Sequence, residues 1–444
     1  MTEGMTIAVT ADSHLGRRYP TMEFRERDIC SGFEAALDGI ISAKPDLIIH
    51  AGDLFDAVFP PGWIFEMGLS SFQSLPLPSD GCSVTEQVTG QQGSPNVFII
   101  HGNHDGTADA RCESGCFSIL RYFDSMSLCN YLDLRRADET IYLPRYVCEA
   151  GGVTVGIQGL GHRPTSHFEK ILGEVKPIPN VEHNILIVHQ GIADLTAPYT
   201  RGDILPKELF LDKGFDLVIA GHTHRSFYEE VRGTRFLVPG STERIDSGEF
   251  GERKGHYLLS VSGQDIQCEF RPIDLDRVRK VRRYDVEVDG LAGNEITEQC
   301  INAITDSDLA GALIYFVLRG QTPHGHADVD RAGIEARLSD RGPIAVKINT
   351  EKVIRKDIGE IVSNENWSEV RIGPDTFRVL FSERNLRDLA GNPIRDETVI
   401  SILAQIAYNI YRAFERDQKE DVESILAKDL YSVAESFYPE EEER

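Results

Sequence analysis

The chain has 444 residues, of which 41% are hydrophobic and 26% are charged, so its composition is that of a soluble globular protein with room for about three domains. Its formal net charge of −25 excludes a protein whose whole surface is basic, and any contacts with nucleic acid would have to be local. The apolar run at residues 312–318 ends at Arg319 and is too short to span a bilayer.

The N-terminal segment and the cysteines favour a cytoplasmic location. The first predicted strand starts near Thr6, which leaves no room for a cleavable leader before it. The 8 cysteines are scattered along the chain, so we expect reduced thiols rather than a disulfide framework. Only Cys112 and Cys116 lie close together, and a zinc site there would lack two further ligands at suitable spacing.

Residues 1–275 are predicted to form one α/β domain. Short runs rich in Val and Ile predict buried strands, and amphipathic stretches between them predict helices. The predicted helices span residues 23–43, 63–75 and 114–123. Residues 76–95 are rich in Ser, Gly, Gln and Pro, so we expect a surface loop without regular structure there.

Polar segments rich in Asp and His follow five of the apolar runs. The segments are Asp12-Ser13-His14, Gly52-Asp53, Gly102-Asn103-His104-Asp105, His189 and Gly221-His222-Thr223-His224. Each is weak by itself, because a single His at a strand end is more often a packed core residue. Strand ends converge at one edge of an open α/β sheet, where such sheets bind ligands. Carboxylate, imidazole and amide oxygen suit manganese, iron or zinc, so the ordered set predicts a two-metal phosphoesterase site.

A phosphodiester resists attack because its negative oxygens repel a nucleophile. Two metal ions about 3.5–4 Å apart neutralise that charge and activate a water molecule. Such a site needs one bridging carboxylate, and we predict that Asp53 is the bridge. The predicted ligands of one ion are Asp12, His14 and His224, and those of the other are Asn103, His189 and His222. The Gly before Asp53 and the Gly before His222 would let the backbone turn sharply at the strand end.

His104 is expected to face the substrate rather than a metal ion, because its neighbour Asn103 takes the ligand position. A protonated imidazole there could donate a proton to the leaving oxygen or stabilise the pentavalent phosphate. Asp105 is expected either to orient the His104 ring or to cap the next helix. His104 is therefore the predicted catalytic residue.

The pattern changes after residue 275. Residues 276–350 combine alternating strands with a helix predicted at 295–304, which is typical of a compact α+β unit. Residues 351–444 have apolar side chains at helical spacing and end in an acidic tail, so we predict a mostly helical region. Five basic residues near the start of the α+β unit are candidate DNA contacts, namely Arg277, Arg279, Lys280, Arg282 and Arg283. The alternative, a solvated strand edge, stays open.

The ordered set of polar segments resembles the calcineurin-like metallophosphoesterase superfamily. Four strings look more narrowly like its SbcD-like branch, the nuclease subunit of the DNA double-strand-break repair nuclease–ATPase complex. They are Ala51-Gly52-Asp53-Leu54-Phe55-Asp56, Gly102-Asn103-His104-Asp105, Val188-His189-Gln190-Gly191 and Pro239-Gly240-Ser241-Thr242-Glu243-Arg244. Many archaeal and eukaryotic members place a phosphate-positioning His where this chain has Asp56. We therefore expect Asp56 to support the ligands rather than to act in catalysis.

The resemblance implies the remaining expectations. The fold would be a metallophosphoesterase core, a sheet sandwich flanked by helices at residues 1–275, with a small α+β capping domain at 276–350 that binds DNA and a helical C-terminal region at 351–444. The activity would be manganese-dependent, 3′-to-5′ exonuclease action on duplex ends and endonuclease action on single strands, in double-strand-break repair. The partners would be DNA, an ABC-type coiled-coil ATPase subunit and a second copy of the chain.

Two parts of the chain would carry these protein contacts. The predicted helices at 63–75 and 114–123 would form the homodimer, because the first is unusually apolar for a surface helix. A helical stripe in the C-terminal region would dock on the ATPase. Its residues are Ile400, Leu403, Ile406, Ala407, Ile410 and Tyr411.

Two other functions stay open at this stage. The first is a phosphodiesterase for a small molecule such as a cyclic nucleotide, although the separate unit after residue 275 favours a large substrate. The second is a non-catalytic scaffold on a phosphoesterase fold. A scaffold needs neither the metal ligands nor His104, so their presence favours an enzyme.

Overall fold

The computed structural model describes residues 4–77, 81–91, 95–107, 117–137, 140–195, 204–263, 265–276, 278–355, 400, 401, 403, 405 and 406. The chain divides into two compact units. The first consists of Met1–Tyr284, Ile304–Phe316 and Glu335–Ile348, and the second of Asp285–Ala303, Val317–Ile334 and Asn349–Arg444. The three domain ranges predicted from the sequence stay predictions.

Strands dominate the described part of the chain. In chain order they are β1 (Met5–Thr10), β2 (Leu47–His50), β3 (Ser83–Glu86), β4 (Val97–Ile99), β5 (Asn130–Tyr131), β6 (Arg135–Ala137), β7 (Thr140–Tyr142), β8 (Tyr146–Ala150), β9 (Val153–Leu160), β10 (His183–His189), β11 (Gly191–Ile192), β12 (Ile204–Leu205), β13 (Leu217–Gly221), β14 (Phe227–Val231), β15 (Thr234–Val238), β16 (Gly255–Val261), β17 (Ile266–Pro272), β18 (Val281–Glu287), β19 (Leu313–Thr322) and β20 (Ala345–Arg355). The α-helices are α1 (Phe24–Ala43), α2 (Gly62–Gln73), α3 (Leu120–Ser125), α4 (Thr165–Glu174), α5 (Asn294–Asn302) and α6 (Arg331–Ser339).

Two large mixed sheets form the centre of the first unit. The six-stranded sheet has the order β17-β16-β1-β2-β4-β5, and the seven-stranded sheet has the order β14-β15-β13-β10-β9-β8-β3. Strands β1, β2, β4 and β5 run parallel to one another, as do β9, β10, β13 and β15. The carboxyl ends of the parallel strands in each sheet therefore share one edge, as predicted.

Apolar clusters on both faces of each sheet explain the continuous apolar runs of the sequence. Ile7 and Val9 of β1 pack in a cluster that also contains Ile185 and Ile187 of β10, so the two sheets face each other. Ala8, on the opposite face of β1, packs with residues of α1 and α2. The outer face of the seven-stranded sheet is covered in the same way by α4. The predicted sandwich flanked by helices is thus confirmed.

The helices of this unit agree with the sequence prediction to different degrees. Helix α1 (Phe24–Ala43) and helix α2 (Gly62–Gln73) match the predicted ranges within two residues. The third predicted helix, at 114–123, differs: residues 108–116 lie outside the described residues, and the observed helix begins only at Leu120. Ser118 instead forms a β-bridge with Gly106, and its hydroxyl donates to the carbonyl of Asp105, which holds the backbone extended.

The expectation of an irregular loop at residues 76–95 is wrong in part. Strand β3 lies inside this segment and pairs antiparallel with β8, at the edge of the seven-stranded sheet. Val84 and Glu86 of β3 are buried. The local composition gave no periodic signal because only four residues form the strand. Its partner is distant in the sequence, with Ser83 paired to Glu149 and Glu86 to Tyr146.

The segments after residue 275 form a three-stranded sheet with the order β18-β19-β20. The predicted strands and the predicted helix at 295–304 correspond to β18, β19, β20 and α5, while α6 was not foreseen. The predicted helical region at 351–444 is wrong at its start, because residues 351–355 belong to β20, and residues 356–399, 402, 404 and 407–444 lie outside the described residues. Within the described ranges, no helix combines the length and the apolar composition that crossing a membrane requires.

Candidate metal centre

The predicted metal ligands lie at the carboxyl ends of parallel strands from both sheets. Asp12 and His14 follow β1, Asp53 follows β2, and Asn103 follows β4 in the six-stranded sheet. His189 ends β10, and His222 and His224 follow β13 in the seven-stranded sheet. Each sheet therefore contributes its own set of side chains to one place.

Distances between the side chains show how closely they converge. Oδ2 of Asp53 lies 3.6 Å from Nε2 of His14 and 3.3 Å from Nε2 of His189. Nε2 of His14 lies 3.1 Å from Nε2 of His224. Oδ1 of Asp12 lies 3.9 Å from Nε2 of His189. Asp53 thus lies between an imidazole from its own sheet and one from the opposite sheet.

The remaining two predicted ligands complete the cluster. Nδ1 of His222 lies 2.9 Å from the amide oxygen of Asn103, and the backbone N–H of His222 donates to Asp12 Oδ1 over 3.0 Å. The fold therefore brings all seven residues predicted as metal ligands into one cluster. They are Asp12, His14, Asp53, Asn103, His189, His222 and His224.

The donor set fits divalent metal ions. Four groups of side chains bring ligand atoms within 4.8 Å of one another. Three lie inside the cluster, namely Asp12, His14 and His224; Asp12, Asp53 and His189; and His14, Asp53 and His104, and the fourth joins His224 to Asp246 and Glu249. Oδ2 of Asp12 and Nε2 of His222 are buried and have no hydrogen-bond partner among the described residues. Burying unpaired polar atoms is costly, and a cation would supply the missing partner. Carboxylate and imidazole are the usual ligands of manganese, iron and zinc.

Strained backbone positions support a functional role for this cluster. Asp12, His14, Asp53 and His222 all have left-handed backbone angles, with φ of 50°, 47°, 53° and 80°. Such residues cost about 1–3 kcal/mol each and persist only where the surroundings hold them. Here the backbone N–H of Asp12 donates to Gly52 O over 2.9 Å, and that of His14 donates to Asp53 O over 3.0 Å. The loops after β1 and β2 are thereby joined.

The glycines beside the ligands are required for two different reasons. Gly52 has a φ of 95°, as the prediction of a sharp turn implies, and a Cβ atom there would also overlap the ring of His189. Gly221 has no such angle and belongs to β13, so the predicted turn is wrong there. A Cβ atom at Gly221 would overlap the carbonyl oxygen of Ala51, so close approach of the two sheets is the reason for glycine.

Substituting Gly102 by alanine should disrupt the cluster. A Cβ atom at Gly102 would overlap the carboxylate of Asp53 and come within 2.7 Å of its backbone nitrogen. We expect Gly102→Ala to lower the free energy of unfolding by about 1–3 kcal/mol, the usual cost of overpacking. Thermal denaturation measures this change. Gly62→Ala is the control, because a Cβ at Gly62 meets nothing within 4 Å. Equal melting temperatures for the two variants would contradict the overlap.

His104 lies at the open side of the cluster. Its side chain is 31% exposed, and its ring centroid lies 4.7 Å from that of His14. Its backbone N–H donates to Oδ1 of Asp53 over 2.8 Å. Nδ1 of His104 lies 3.3 Å from the backbone oxygen of Asp56, which leaves Nε2 for other contacts. The ring is accessible to a substrate and also lies close to His14 and Asp53. The geometry therefore allows His104 to act either as a proton donor or as a metal ligand.

Asp56 and Asp105 support the loops that carry the ligands. Nδ1 of His14 donates to Oδ1 of Asp56 over 3.0 Å, and Arg17 donates to the same oxygen over 3.1 Å. Asp105 does not orient the His104 ring as one expectation had it. Its carboxylate accepts from the backbone N–H groups of Leu54 and Gly102, each over 2.7 Å. It thereby ties the loop after β2 to the loop after β4.

Glu249 is a residue of the site that the sequence reasoning missed. It is fully buried, and its Oε1 accepts from Nδ1 of His224 over 2.8 Å. Its Oε2 accepts from the ammonium group of Lys254 and from the hydroxyl of Ser241. Asp246 and Glu249 form a capping box at a short 3-10 helix, Ser247–Glu249, and the spacing Asp-x-x-Glu is the signal that could have found it.

Charges inside the cluster shift its pKa values. Burial raises the pKa of Asp12. Burial acts in the same direction on Asp53, but the imidazoles of His189 and His14 outweigh it and hold the pKa of Asp53 well below its usual range. Burial lowers the pKa of His189, yet the Asp53 carboxylate reverses the shift and raises it to about 9. Burial lowers the pKa of His222 to about 3. Without a metal ion, the Asp53 carboxylate thus favours a proton on His189, and a bound cation would have to displace that proton.

Three of the five predicted DNA-binding residues have carboxylate partners. Arg277 lies outside the described residues. Arg279 donates to both oxygens of Asp28, each over 3.1 Å. Lys280 pairs with Asp308, and Arg282 pairs with Asp276 and Asp306 over 3.0 and 3.2 Å. Arg283 donates to a backbone carbonyl, that of Gly248. A phosphate would have to compete with these partners, so their role in DNA binding stays a prediction.

Comparisons with known proteins show which proteins this chain resembles. A family model described as calcineurin-like phosphoesterase matches residues 5–226, a range that contains every predicted metal ligand. The chain is 27% identical over 286 residues to the DNA double-strand break repair protein Mre11 of Methanocaldococcus jannaschii. The aligned region covers 63% of this chain and 67% of that protein. The protein of the same name from Methanopyrus kandleri is 24% identical over 442 residues, or 95% of this chain and 86% of that protein. The one from Haloferax volcanii is 26% identical over 425 residues, or 95% and 82%.

Proposed function

The chain belongs to the calcineurin-like phosphoesterase family, and from that premise we propose that it is a metal-dependent DNA nuclease of the branch that acts in double-strand-break repair. One observation carries the proposal. The Asp53 carboxylate lies between His14 and His189, at 3.6 and 3.3 Å, in a buried cluster that offers terminal ligands on both sides. This is the donor arrangement that two metal ions with one bridging carboxylate require.

Each residue has a proposed role in phosphodiester hydrolysis. Asp12, His14 and His224 would hold one ion, Asn103, His189 and His222 the other, and Asp53 both. The bound ions would neutralise the phosphate and supply an activated water. His104 donates a proton to the leaving oxygen, because its ring reaches the open side of the cluster. Asp56 and Glu249 hold the rings of His14 and His224 so that each presents Nε2 to the cluster.

The similar proteins and the resemblance of the sequence strings support three further parts of the proposal. These parts are DNA as the substrate, manganese as the ion and the two cleavage modes. The proteins from the three archaea named above are DNA double-strand break repair proteins. We propose 3′-to-5′ exonuclease action on duplex ends and endonuclease action on single strands. A cytoplasmic location accompanies this proposal.

A digestion panel tests the function. The full chain is incubated with manganese and, separately, with duplex DNA labelled at either end, single-stranded DNA and a chromogenic phosphodiester. We expect loss of label from the 3′ ends, cleavage of the single strand and no activity with EDTA. Hydrolysis of the chromogenic ester without any cleavage of DNA would favour the small-molecule phosphodiesterase. Failure on every substrate would favour the scaffold.

We propose that two copies of the chain associate through α2 and α3. The described part of this surface exposes large apolar side chains, with Trp63 50%, Tyr122 54% and Met126 44% exposed. Exposed apolar patches of this kind mark interaction sites. Light scattering of the full chain at micromolar concentration should give twice the mass of one chain, and Trp63→Glu should give the mass of one. Ile344→Glu is the control, because Ile344 is also exposed, at 44%, but lies outside these helices. A monomeric wild-type chain would contradict the dimer.

We propose that the C-terminal region binds an ABC-type coiled-coil ATPase. Of the predicted stripe, Ile400 and Ile406 are helical and buried, while Ala407, Ile410 and Tyr411 lie outside the described residues. Co-purification of the ATPase should succeed with the full chain and fail with a chain truncated after Thr350. Equal capture by both chains would move the docking site elsewhere.

A further inference from the structure

The two halves of the metal cluster differ in the groups that lie within hydrogen-bond distance of Nδ1 of their histidines. His14 and His224 each donate Nδ1–H to a carboxylate: to Asp56 over 3.0 Å and to Glu249 over 2.8 Å. These two histidines share a group with Asp12. In the half of the cluster that contains His14 and His224, both rings therefore donate Nδ1–H to a carboxylate.

Among the described residues, no carboxylate accepts a hydrogen bond from Nδ1 of either histidine in the other half. His189 donates Nδ1–H to the backbone carbonyl of Ala51 over 2.8 Å. Nδ1 of His222 lies 2.9 Å from the amide oxygen of Asn103, which is itself a proposed ligand of the same ion and carries no charge. A carboxylate that accepts from a ligating histidine makes the opposite ring nitrogen a stronger donor and fixes its tautomer, and a neutral oxygen does so less.

Several hydrogen bonds fix the Glu249 carboxylate beside His224. It is fully buried, and its oxygens accept from the backbone N–H groups of Ile245 and Asp246 in addition to His224. Lys254, itself 1% exposed on its side chain, pairs with Oε2 and donates to the backbone carbonyl of His224 over 2.8 Å. Lys254 balances part of the carboxylate charge, so the effect on His224 is local, through the hydrogen bond and the fixed ring.

We infer that Glu249 and Asp56 are positioning residues that make the two metal positions unequal. The position between Asp12, His14 and His224 holds its ion tightly, and the position at His189 and His222 fills only at higher manganese concentration. This inference rests on the proposed two-metal function and adds an order of filling to it. The second ion is consequently the one whose supply controls activity.

Site-resolved occupancy tests the inference. Crystals of the metal-free full chain are soaked at limiting manganese, and anomalous scattering locates the ions. In the wild type we expect the first density between His14 and His224. Titration calorimetry of the full chain should show two classes of sites, and Glu249→Gln should weaken the tighter class by about 10–100-fold, the usual effect of removing an outer carboxylate. The weaker class should keep its affinity, which a general loss of structure would not allow.

A second variant and a control keep the test decisive. Asp56→Asn makes the same change behind His14 and should weaken the same class, so the inference does not depend on the folding of Glu249→Gln. Glu86→Gln is the control, because Glu86, the last residue of β3, is a buried carboxylate that accepts from the backbone N–H groups of Val88 and Thr89. Two equal classes, or first filling at His189 and His222, would overturn the inference and leave the nuclease intact. A wild-type chain that binds no manganese would overturn both.

Discussion

Replacing Asp53 by alanine should remove most of the bound manganese and abolish DNA cleavage. Under manganese saturation the wild-type chain should carry about two ions, the stoichiometry of a bridged pair. The Asp53 carboxylate is the group that approaches ligands from both sheets, His14 at 3.6 Å and His189 at 3.3 Å. Its loss takes one ligand from each ion and leaves the remaining histidines without a shared anion. Elemental analysis after desalting measures the metal content.

Asp46→Ala is the matched control for this experiment. Asp46 precedes β2, at the opposite end of the strand that Asp53 follows, and its carboxylate accepts from the backbone N–H and the hydroxyl of Thr6 over 2.7 and 2.9 Å. Its loss should lower stability by about 1–3 kcal/mol, because two hydrogen bonds disappear, and should leave the metal content unchanged. Two ions retained by Asp53→Ala would exclude a bridging role for that residue.

Replacing His104 by serine should leave metal and DNA binding in place and lower the cleavage rate by about 10²-fold or more, the usual scale for losing a general acid. His104 is 31% exposed, whereas His14 and His189 are buried, and its neighbour Asn103 already contacts His222. A side chain that moves a proton at the leaving oxygen affects kcat rather than the affinity for DNA. Single-turnover cleavage and fluorescence anisotropy measure the two quantities separately.

Metal content decides between the two roles that the geometry allows for His104. Because its ring shares a group with His14 and Asp53, a direct ligand role would appear as a loss of manganese in His104→Ser. We expect no loss. His167→Ser, on α4, is the control and should keep its full rate. A near-normal rate in His104→Ser would contradict its role as the acid.

The sequence by itself determined the long apolar strands of both sheets, and it located the seven candidate metal ligands at the ends of such strands. Both follow from signals that are local along the chain. A strand covered on both faces is apolar throughout, as in residues 217–220, and a polar side chain directly after such a run lies at the strand end. The order of the parallel strands in each sheet then gathers those ends at one edge.

Only the tertiary structure decided that Glu249 supports a predicted ligand and which of the basic side chains are already paired. Glu249 contacts His224 from 25 positions away, and Asp28 neutralises Arg279 from 251 positions away. Strand β3 likewise depends on its register with β8. Such pairs form because burial in the folded chain forces each polar group to find a partner, and a single sequence carries no periodic signal for where that partner lies.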